Sequence, residues 1–447
     1  MSHGRTPDSG RDTAETIVAI ATPPGRGGIG VIRLSGPRAI TIAHSLAGRT
    51  VTPRRATLVT FRDAQGEALD QGLVLTFPEG GSFTGEPVAE LQGHGGPVVL
   101  ARLVRATISL GARHARPGEF SERAFLNGRL DLAQAEAIAD LIASGSEAAA
   151  RAAMRSLTGE FSTRVSNLAA AIRAIRVQVE AGIDFADEPI DGLETAAIGE
   201  AIDGLALELA ELLRRTEQGA RLSQGITIAI VGAPNVGKSS LLNALAGEDH
   251  AIVTDIPGTT RDVLKVDLVL AGMPVRVMDT AGLRDTEDPV EAEGIRRARR
   301  QLEEADIVLL VDDLSREGMH LPRVPAAVTD RLLRVGNKAD ISVRQDVELR
   351  VSARTGEGIG ALIAAIADRL DHHPDETTFS ARERHVALLR SARERLAEAA
   401  ALHAADAGAE LVAEALRLAH DNVGDIVGRV SPDALLGDIF STFCIGK

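Results

Sequence analysis

Eight residues near the middle of the chain have the types and spacing of a phosphate-binding loop. The run from Gly232 to Ser239 reads Gly-Ala-Pro-Asn-Val-Gly-Lys-Ser, in which two glycines precede lysine and serine at the required spacing. In such a loop, backbone N–H groups turn toward phosphates, Lys238 contacts the outer phosphates, and the Ser239 hydroxyl binds Mg2+. Chance alone produces the pattern in roughly one or two such chains per hundred, so its neighbours in the sequence decide its meaning.

Two further motifs follow the loop in the order that a GTPase needs. The first is Asp279-Thr280-Ala281-Gly282, and the second is Asn337-Lys338-Ala339-Asp340. The Asp340 carboxylate can accept two hydrogen bonds from the N1–H and 2-amino groups of guanine, which adenine does not present. Ser352 and Ala353 are expected to close over the base. The sequence therefore predicts guanine-nucleotide binding.

The segments around these motifs predict the elements that hold them. Residues 226–231 form an apolar, β-branched run of strand length, and residues 239–246 repeat leucine at helical spacing. Residues 275–278 and 307–311 are also predicted strands. Ligands bind at the carboxyl ends of the strands in open α/β sheets, which is where these motifs would lie.

A threonine in the segment 254–262, the expected first switch, must bind Mg2+ through its hydroxyl, and Thr260 is the predicted residue. Asp279 would hold the same ion through water, and the Gly282 amide would contact the γ-phosphate. Ras-like enzymes place a water-orienting glutamine after that glycine, but here the residue is Leu283. Hydrolysis is therefore either slow or uses another residue to position water. The nearby acidic candidates, most of which would be solvated loop residues, are Asp285, Glu287, Asp288, Glu291 and Glu293.

The rest of the 447-residue chain divides into segments of different sequence pattern. Short strands, a glycine-rich hairpin at residues 23–28 and one helix at 97–110 predict an N-terminal α+β domain. Amphipathic helices begin after the capping residue Asp131 and return after the nucleotide motifs. We predict domains at 1–125, 126–223, 224–375 and 376–447, with a GTPase domain inserted into a helical domain whose two parts flank it.

Composition limits the remaining possibilities. The chain is 44% hydrophobic, contains one cysteine and carries a net charge of −14. It has neither an apolar run of membrane-spanning length nor a signal-like beginning, so we expect a globular, cytoplasmic protein without disulfides. The acidic charge argues against unspecific nucleic-acid binding, although it leaves room for a structured RNA on a local basic patch.

Several longer stretches carry a family resemblance. They are residues 21–28 (Ala-Thr-Pro-Pro-Gly-Arg-Gly-Gly), 91–96 (Leu-Gln-Gly-His-Gly-Gly), 116–127 (Arg-Pro-Gly-Glu-Phe-Ser-Glu-Arg-Ala-Phe-Leu-Asn) and 443–447 (Phe-Cys-Ile-Gly-Lys). With the GTPase motifs, they resemble the tRNA-modification GTPases that act on the wobble uridine, almost from end to end. The resemblance implies a multidomain α+β and α/β fold: an N-terminal tetrahydrofolate-binding-like domain, a discontinuous helical domain and an inserted Ras-like P-loop GTPase domain.

The resemblance also implies site residues. In this family, GTPase domains dimerise when K+ is bound, which activates hydrolysis; its ligands would be Asn235, Thr254, Ile256 and Thr259. The water-orienting residue would be Glu291, with Lys238 as the catalytic cation. The full set of expected GTP-binding residues is Asn235, Val236, Gly237, Lys238, Ser239, Ser240, Thr254, Asp255, Ile256, Pro257, Gly258, Thr259, Thr260, Asp279, Thr280, Ala281, Gly282, Asn337, Lys338, Asp340, Ser352 and Ala353.

A second site is implied for a 5-formyl or 5,10-methylene tetrahydrofolate in the N-terminal domain, which is the family's constitutive dimerisation unit. Its contacts would be Arg33, Glu90, Arg129 and Lys447, with cations for the glutamate tail and a carboxylate for the amino-pyrimidine edge. Arg129 often is lysine in this family. The poor lipidation context of Cys444 leaves this residue either as a participant in the modification or as an idle thiol.

The implied activity is that of a homodimeric, K+-stimulated GTPase working with an FAD-dependent partner subunit. Together they would add a (carboxymethyl)aminomethyl-type group to C5 of the wobble uridine in certain tRNAs. One alternative is a ribosome-assembly GTPase, which should carry an RNA-binding module or a second GTPase domain. Another is a folate enzyme regulated by its GTPase, which would turn over folate without tRNA.

Overall fold

A computed structural model describes residues 15–184, 192–250, 265–279, 300, 302–317, 324–342, 344–370, 378–428, 433–443 and 446. The chain forms two compact units: residues 1–139 with 427–447, and residues 140–426. Each unit has a hydrophobic core of its own.

The first unit is built on a six-stranded sheet. Its N-terminal elements are β1 (Thr16–Ile20), β2 (Gly27–Ser35), α1 (Ala39–Ala47), β3 (Thr57–Arg62), β4 (Ala68–Phe77), β5 (Val88–Gly95), α2 (Pro97–Ser109), β6 (Ala112–His114) and α3 (Glu119–Leu126). The strand order is β3-β4-β5-β2-β1-β6. Antiparallel pairing of β1 with β2 confirms the predicted hairpin. Apolar residues of α1 and α2 pack with those of the central strands in one core.

Helix α3 carries buried charges. Glu119 is 2% exposed, and its carboxylate accepts hydrogen bonds from Arg113 at 2.6 Å, the Arg116 amide at 2.8 Å and Arg123 at 3.1 Å. Arg123 also donates to Glu86 at 2.9 Å. Burial alone raises the pKa of Glu119, but the hydrogen bonds from Arg113, the Arg116 amide and Arg123 outweigh it and lower that pKa to about 2.

This pKa predicts a pH-dependent stability. Because the pKa of Glu119 is lower in the folded chain than its usual 4.5, its contribution is complete above pH 4.5 and is lost as pH falls toward 2. We expect Glu119→Gln to lower the unfolding free energy of the first unit at pH 7 by about 3 kcal/mol. In calorimetric unfolding, the gap from wild type should narrow below pH 4.5, whereas the exposed Glu147→Gln should leave the profile unchanged. A gap independent of pH would contradict this account.

The helices that follow the first sheet begin at caps that the sequence predicts. They are α4 (Leu132–Ala143), within which the boundary between the units falls, α5 (Glu147–Leu157), α6 (Glu160–Asp184) and α7 (Gly192–Gln224). The Asp131 carboxylate accepts from the Gln134 amide at 2.9 Å, and the Ser146 hydroxyl accepts from the Ala149 amide at 3.1 Å. Both side chains satisfy amides that the first turn of a helix leaves unpaired.

A second six-stranded sheet follows these helices. Its elements are β7 (Ile226–Gly232), α8 (Lys238–His250), β8 (Lys265–Leu270), β9 (Met273–Asp279), β10 (Ile307–Asp313), β11 (Leu332–Asn337), β12 (Leu349–Arg350) and α9 (Ile359–Arg369), with 3-10 turns at Ala326–Arg331 and Ala339–Ile341. The order is β12-β11-β10-β7-β9-β8, and only β8 pairs antiparallel. The carboxyl ends of five parallel strands therefore meet at one edge.

Helices from both sides of this sheet in sequence form one bundle. Helix α10 (Glu383–Ala404) packs on α7, and α11 (Ala409–Ile426) packs on α6 and α10. The rings of Phe161 and Phe379 stack with centroids 4.6 Å apart. The Ser156 hydroxyl donates to the Ser380 carbonyl at 2.8 Å. These contacts confirm a helical domain interrupted by a GTPase-like sheet.

The end of the chain packs in the first unit. Helix α12 (Asp433–Ser441) lies against α3, where the rings of Phe440 and Phe125 have centroids 6.4 Å apart. Gly446 has a φ of 102°, and a Cβ there would lie 2.5 Å from the Ile20 carbonyl oxygen. Glycine is thus required where the chain end meets β1. None of the described helices is long and apolar enough to cross a membrane.

Candidate guanine-nucleotide site

The phosphate-binding loop joins β7 to α8, as predicted. Asn235 and Gly237 have positive φ values of 65° and 93°. A Cβ on Gly237 would lie 2.4 Å from the Asn337 side-chain nitrogen, so no other residue fits without displacing that amide. Glycine is therefore required where the loop packs against Asn337, and the positive φ values turn the backbone as phosphate-binding loops do.

The side-chain ammonium of Lys238 lies against the backbone of the phosphate loop. The Lys238 ammonium donates to the carbonyls of Gly232 at 3.1 Å and Ala233 at 3.2 Å. Ser239 and Ser240 follow in the first turn of α8, which is anchored by the buried side chains of Leu241, Leu242 and Leu245. The start of a helix directs amides and a positive dipole end toward an anion.

Asn337 connects the phosphate loop to the predicted base-binding loops. It is 2% exposed, and its side-chain N–H donates to the Val236 carbonyl at 2.8 Å. Its side-chain oxygen accepts from the amides of Lys338 at 2.8 Å and Ala353 at 3.0 Å. A buried amide satisfied in this way holds three loops in one arrangement.

Asp340 lies beside the segment predicted to close over the base. Its carboxylate accepts a hydrogen bond of 2.8 Å from the hydroxyl of Ser352, which is fully buried. The hydroxyl in turn accepts from the Thr355 amide at 3.2 Å. The residue predicted to recognise guanine, Asp340, is therefore hydrogen-bonded to Ser352, which is predicted to close over the base.

Sequence reasoning missed Asp313. This buried residue ends β10, and its carboxylate accepts from the Lys338 ammonium at 2.7 Å and the Ser315 amide at 3.0 Å. Burial raises the pKa of Asp313, but the hydrogen bonds from Lys338 and Ser315 outweigh it and hold that pKa below its usual value. The available signal was an aspartate pair, Asp312 and Asp313, closing an apolar strand at the sheet edge that binds ligands.

The remaining predicted residues divide into two groups. Asp279 ends β9, beside β7, at the same edge as the phosphate loop. The others lie outside the described residues: Thr254, Asp255, Ile256, Pro257, Gly258, Thr259, Thr260, Thr280, Ala281, Gly282, Glu291, Cys444 and Lys447.

The donors present fit a magnesium-bound guanine nucleotide. The turn contributes backbone amides, Lys238 a cation, Ser239 a hydroxyl, and Asp340 an acceptor for the base. Magnesium prefers oxygen ligands and usually retains substrate phosphates and water in its shell, so one protein hydroxyl at this position suits it.

Two of the four predicted folate contacts, Arg33 and Glu90, form an ion pair on the first sheet. The Arg33 guanidinium donates to one oxygen of Glu90 at 3.1 and 2.9 Å across the β2–β5 rung. It also lies 5.7 Å from the centre of the Phe83 ring. Arg129 is exposed and lies close to Gly85, in the same connection as Phe83.

Comparison with known proteins identifies the family to which the chain belongs. A model described as the MnmE helical domain matches residues 132–444, and one described as the GTP-binding protein TrmE N-terminus matches residues 16–129. A tRNA modification GTPase MnmE from Alkalilimnicola ehrlichii is 52% identical over 441 residues, covering 97% of this chain and 99% of that protein. The chain belongs to the MnmE family of tRNA modification GTPases. A second MnmE relative, from Methylococcus capsulatus, is 51% identical over 97% of this chain and 99% of its own length.

Solved structures also match part of this MnmE-family chain. An Aquifex aeolicus Era bound to GDP and AlF4− is 24% identical, covers 38% of this chain and 66% of its own, and has a TM-score of 0.25.

Proposed function

We propose that this MnmE-family GTPase acts as a homodimer with a separate FAD-dependent subunit in tRNA modification. Their joint product would be a (carboxymethyl)aminomethyl group on C5 of the wobble uridine. Similarity to curated MnmE proteins over 97% of the chain is the observation that carries this proposal. GTP turnover would drive conformational cycling and would not itself form the new bond.

The described contacts support a separate role for each of several residues in GTP binding. Asn337 would hold the phosphate and base loops together, and Asp340, oriented by Ser352, would accept from the guanine edge. Lys238 would exchange its two backbone carbonyls for phosphate oxygens. Ser239 and Thr260 would bind Mg2+, with Asp279 acting through water.

Hydrolysis would depend on the residues after β9 and on K+. Glu291 would orient the attacking water in place of the glutamine that Leu283 replaces. Asn235, Thr254, Ile256 and Thr259 would hold K+. Bound Mg2+ and K+ would neutralise negative charge that develops on the phosphates, as an arginine finger does elsewhere.

The N-terminal domain would bind a reduced folate that supplies the one-carbon unit. Glu90 would accept from the amino-pyrimidine edge, while Arg129 and Lys447 offer cations. Cys444 would take part in the modification, because the segment 443–447 to which it belongs resembles the terminal segment of the family. We also propose that the protein is cytoplasmic. Its domains would span residues 1–125, 126–223, 224–375 and 376–447.

Nucleoside mass spectrometry of total tRNA tests the proposal. Cells lacking this protein should lose 5-aminomethyl-type uridines, and the wild-type gene should restore them. The control is the same analysis of an unrelated modified nucleoside, whose amount should not change. An unchanged uridine profile together with accumulated, unassembled ribosomal subunits would overturn the tRNA assignment and favour ribosome assembly.

A further inference from the structure

The segment that carries Asp340 has a cation on each side of that residue. Lys338 precedes Asp340 by two positions, and Arg344 follows it by four. The Lys338 ammonium donates to the Asp313 carboxylate at 2.7 Å. The Arg344 guanidinium donates to the Asp312 carboxylate at 2.8 Å. We call the segment from Lys338 to Arg344 the base segment, and its two ends are tied to the last two residues of β10.

Both acceptors are buried at the sheet edge where the strands end. Asp312 is 4% exposed and Asp313 is 3% exposed. Because successive residues of a strand point to opposite faces, the two carboxylates meet the base segment from different sides. Arg344 also pairs with Asp346, but that carboxylate is half exposed, so water can replace it. Loss of a buried partner costs more, since it leaves an uncompensated charge away from water.

Backbone contacts fix the start of the base segment. Lys338 has a φ of 65°, which is uncommon for a residue with a side chain and persists where the surroundings hold it. The amide of Leu314, the residue after the aspartate pair, donates to the Asn337 carbonyl at 3.0 Å. The turn after β10 and the base segment are therefore joined by a backbone bond as well as by the ion pair of Lys338 with Asp313.

The Asp313 carboxylate is itself held in place by its own turn. One of its oxygens accepts from the Ser315 amide at 3.0 Å and from the Ser315 hydroxyl at 2.5 Å. The other oxygen accepts from Lys338 and lies 3.5 Å from the guanidinium of the exposed Arg316. An acceptor that is oriented in this way restricts the lysine before any nucleotide binds, which lowers the entropy lost on binding.

Recognition of guanine needs this accuracy. The Ser352 hydroxyl orients the Asp340 carboxylate through one hydrogen bond of 2.8 Å. The N1–H and 2-amino groups of guanine must both donate to that carboxylate, and hydrogen bonds weaken steeply when distance or angle departs from the optimum. The segment that carries Asp340 must therefore be placed to within about 0.5 Å.

We propose that the pair Asp312 and Asp313 positions the base segment so that Asp340 accepts both hydrogen bonds from guanine. Each aspartate acts through the cation with which it pairs. This inference rests on the proposed role of Asp340 and adds the residues that set its accuracy. The aspartate pair then determines how strongly the protein distinguishes guanine from related bases.

Inosine triphosphate separates recognition of the base from nucleotide binding in general, because its base keeps N1–H and lacks the 2-amino group. Equilibrium titration of the full chain with Mg2+ measures both affinities. Wild type should prefer GTP about tenfold or more, since inosine triphosphate forfeits one hydrogen bond to a charged acceptor. In Asp313→Asn, GTP binding should weaken about tenfold and inosine triphosphate binding less than about threefold, so the preference narrows. Asp312→Asn should narrow it in the same direction.

A double-mutant cycle tests whether Asp313 acts through Lys338. Lys338→Met alone should also narrow the preference for GTP. Adding Asp313→Asn to Lys338→Met should cause no further loss, because residues that act through one contact are not additive. Additive losses would show that Asp313 acts independently of Lys338 and would overturn the inference.

The matched control is Asp306→Asn, which makes the same change just before the opposite end of β10, where the carboxylate accepts from the Thr227 amide at 2.8 Å. It should keep the wild-type preference, which distinguishes a weakened sheet from a misplaced base segment. If Asp313→Asn and Asp312→Asn keep that preference while Asp340→Asn loses GTP, the inference is wrong and the base assignment stands. If Asp340→Asn also binds GTP like wild type, the base assignment fails, and the inference fails with it.

Discussion

Replacing Asp340 by asparagine is expected to lower the affinity for GTP by about a thousandfold, because sites built around substrate hydrogen bonds reject unmatched partners strongly. The carboxylate of Asp340 is only an acceptor, which suits the N1–H and 2-amino groups of guanine. An asparagine amide would direct N–H toward one of these donors. Xanthine carries a carbonyl at C2 in place of the amino group, so Asp340→Asn should gain affinity for xanthosine triphosphate.

Equilibrium titration with fluorescent derivatives of GTP and xanthosine triphosphate measures this change in nucleotide affinity. Asp346→Asn is the matched control, since Asp346 is half exposed and pairs with Arg344 away from the predicted base contacts. It should retain GTP binding. Unaltered GTP affinity in Asp340→Asn would show that the base is recognised by other residues and would remove the assignment of the Asn337 to Asp340 motif.

Hydrolysis of GTP should fall about a hundredfold or more in Glu291→Ala, the range expected when a group that activates water is lost. GTP binding should change little, because the phosphate and base loops keep their contacts. The wild-type rate should also be much higher in KCl than in NaCl at equal ionic strength. The variant should lose this stimulation, since a neutralising ion cannot compensate for unoriented water.

Single-turnover hydrolysis and nucleotide titration, run in both salts, separate these effects. Glu293→Ala removes a neighbouring acid and serves as the control, with a rate close to wild type. Equal wild-type rates in the two salts would remove the potassium assignment. A Glu291→Ala rate like that of the control would move water orientation to another acidic residue of the segment.

The local structure of the phosphate loop and of the helix caps was largely predictable, because local backbone needs fix these residues. The phosphate loop requires glycine at Gly237, and the caps Asp131 and Ser146 satisfy helix amides within three residues. Such requirements leave their mark on adjacent positions of the sequence. Asp313 left no comparable mark, because its role depends on Lys338, which lies on the neighbouring strand connection.

Elements stabilised by tertiary contacts were harder to predict. Helix α1 was missed, because Ile40, Thr41 and Ile42 are β-branched and favour strands. Helix α3 was missed as a helix because it buries charges, Glu119 and Arg123 among them, that a polarity pattern assigns to the surface. The helical pattern near the C-terminus could not indicate that α12 packs with the N-terminal unit, since periodicity identifies an apolar face without its partner.

The interrupted helical bundle imposes an order on biosynthesis. Helices α6 and α7 leave the ribosome before α10 and α11, which cover their apolar faces. Roughly 160 residues separate the two halves, which at 5–20 residues per second corresponds to about 8–30 s of translation. During that interval the nascent chain carries two amphipathic helices without their later partners, while the intervening sheet has all of its core residues available. The bundle therefore closes only after the nucleotide-binding segment has been synthesised.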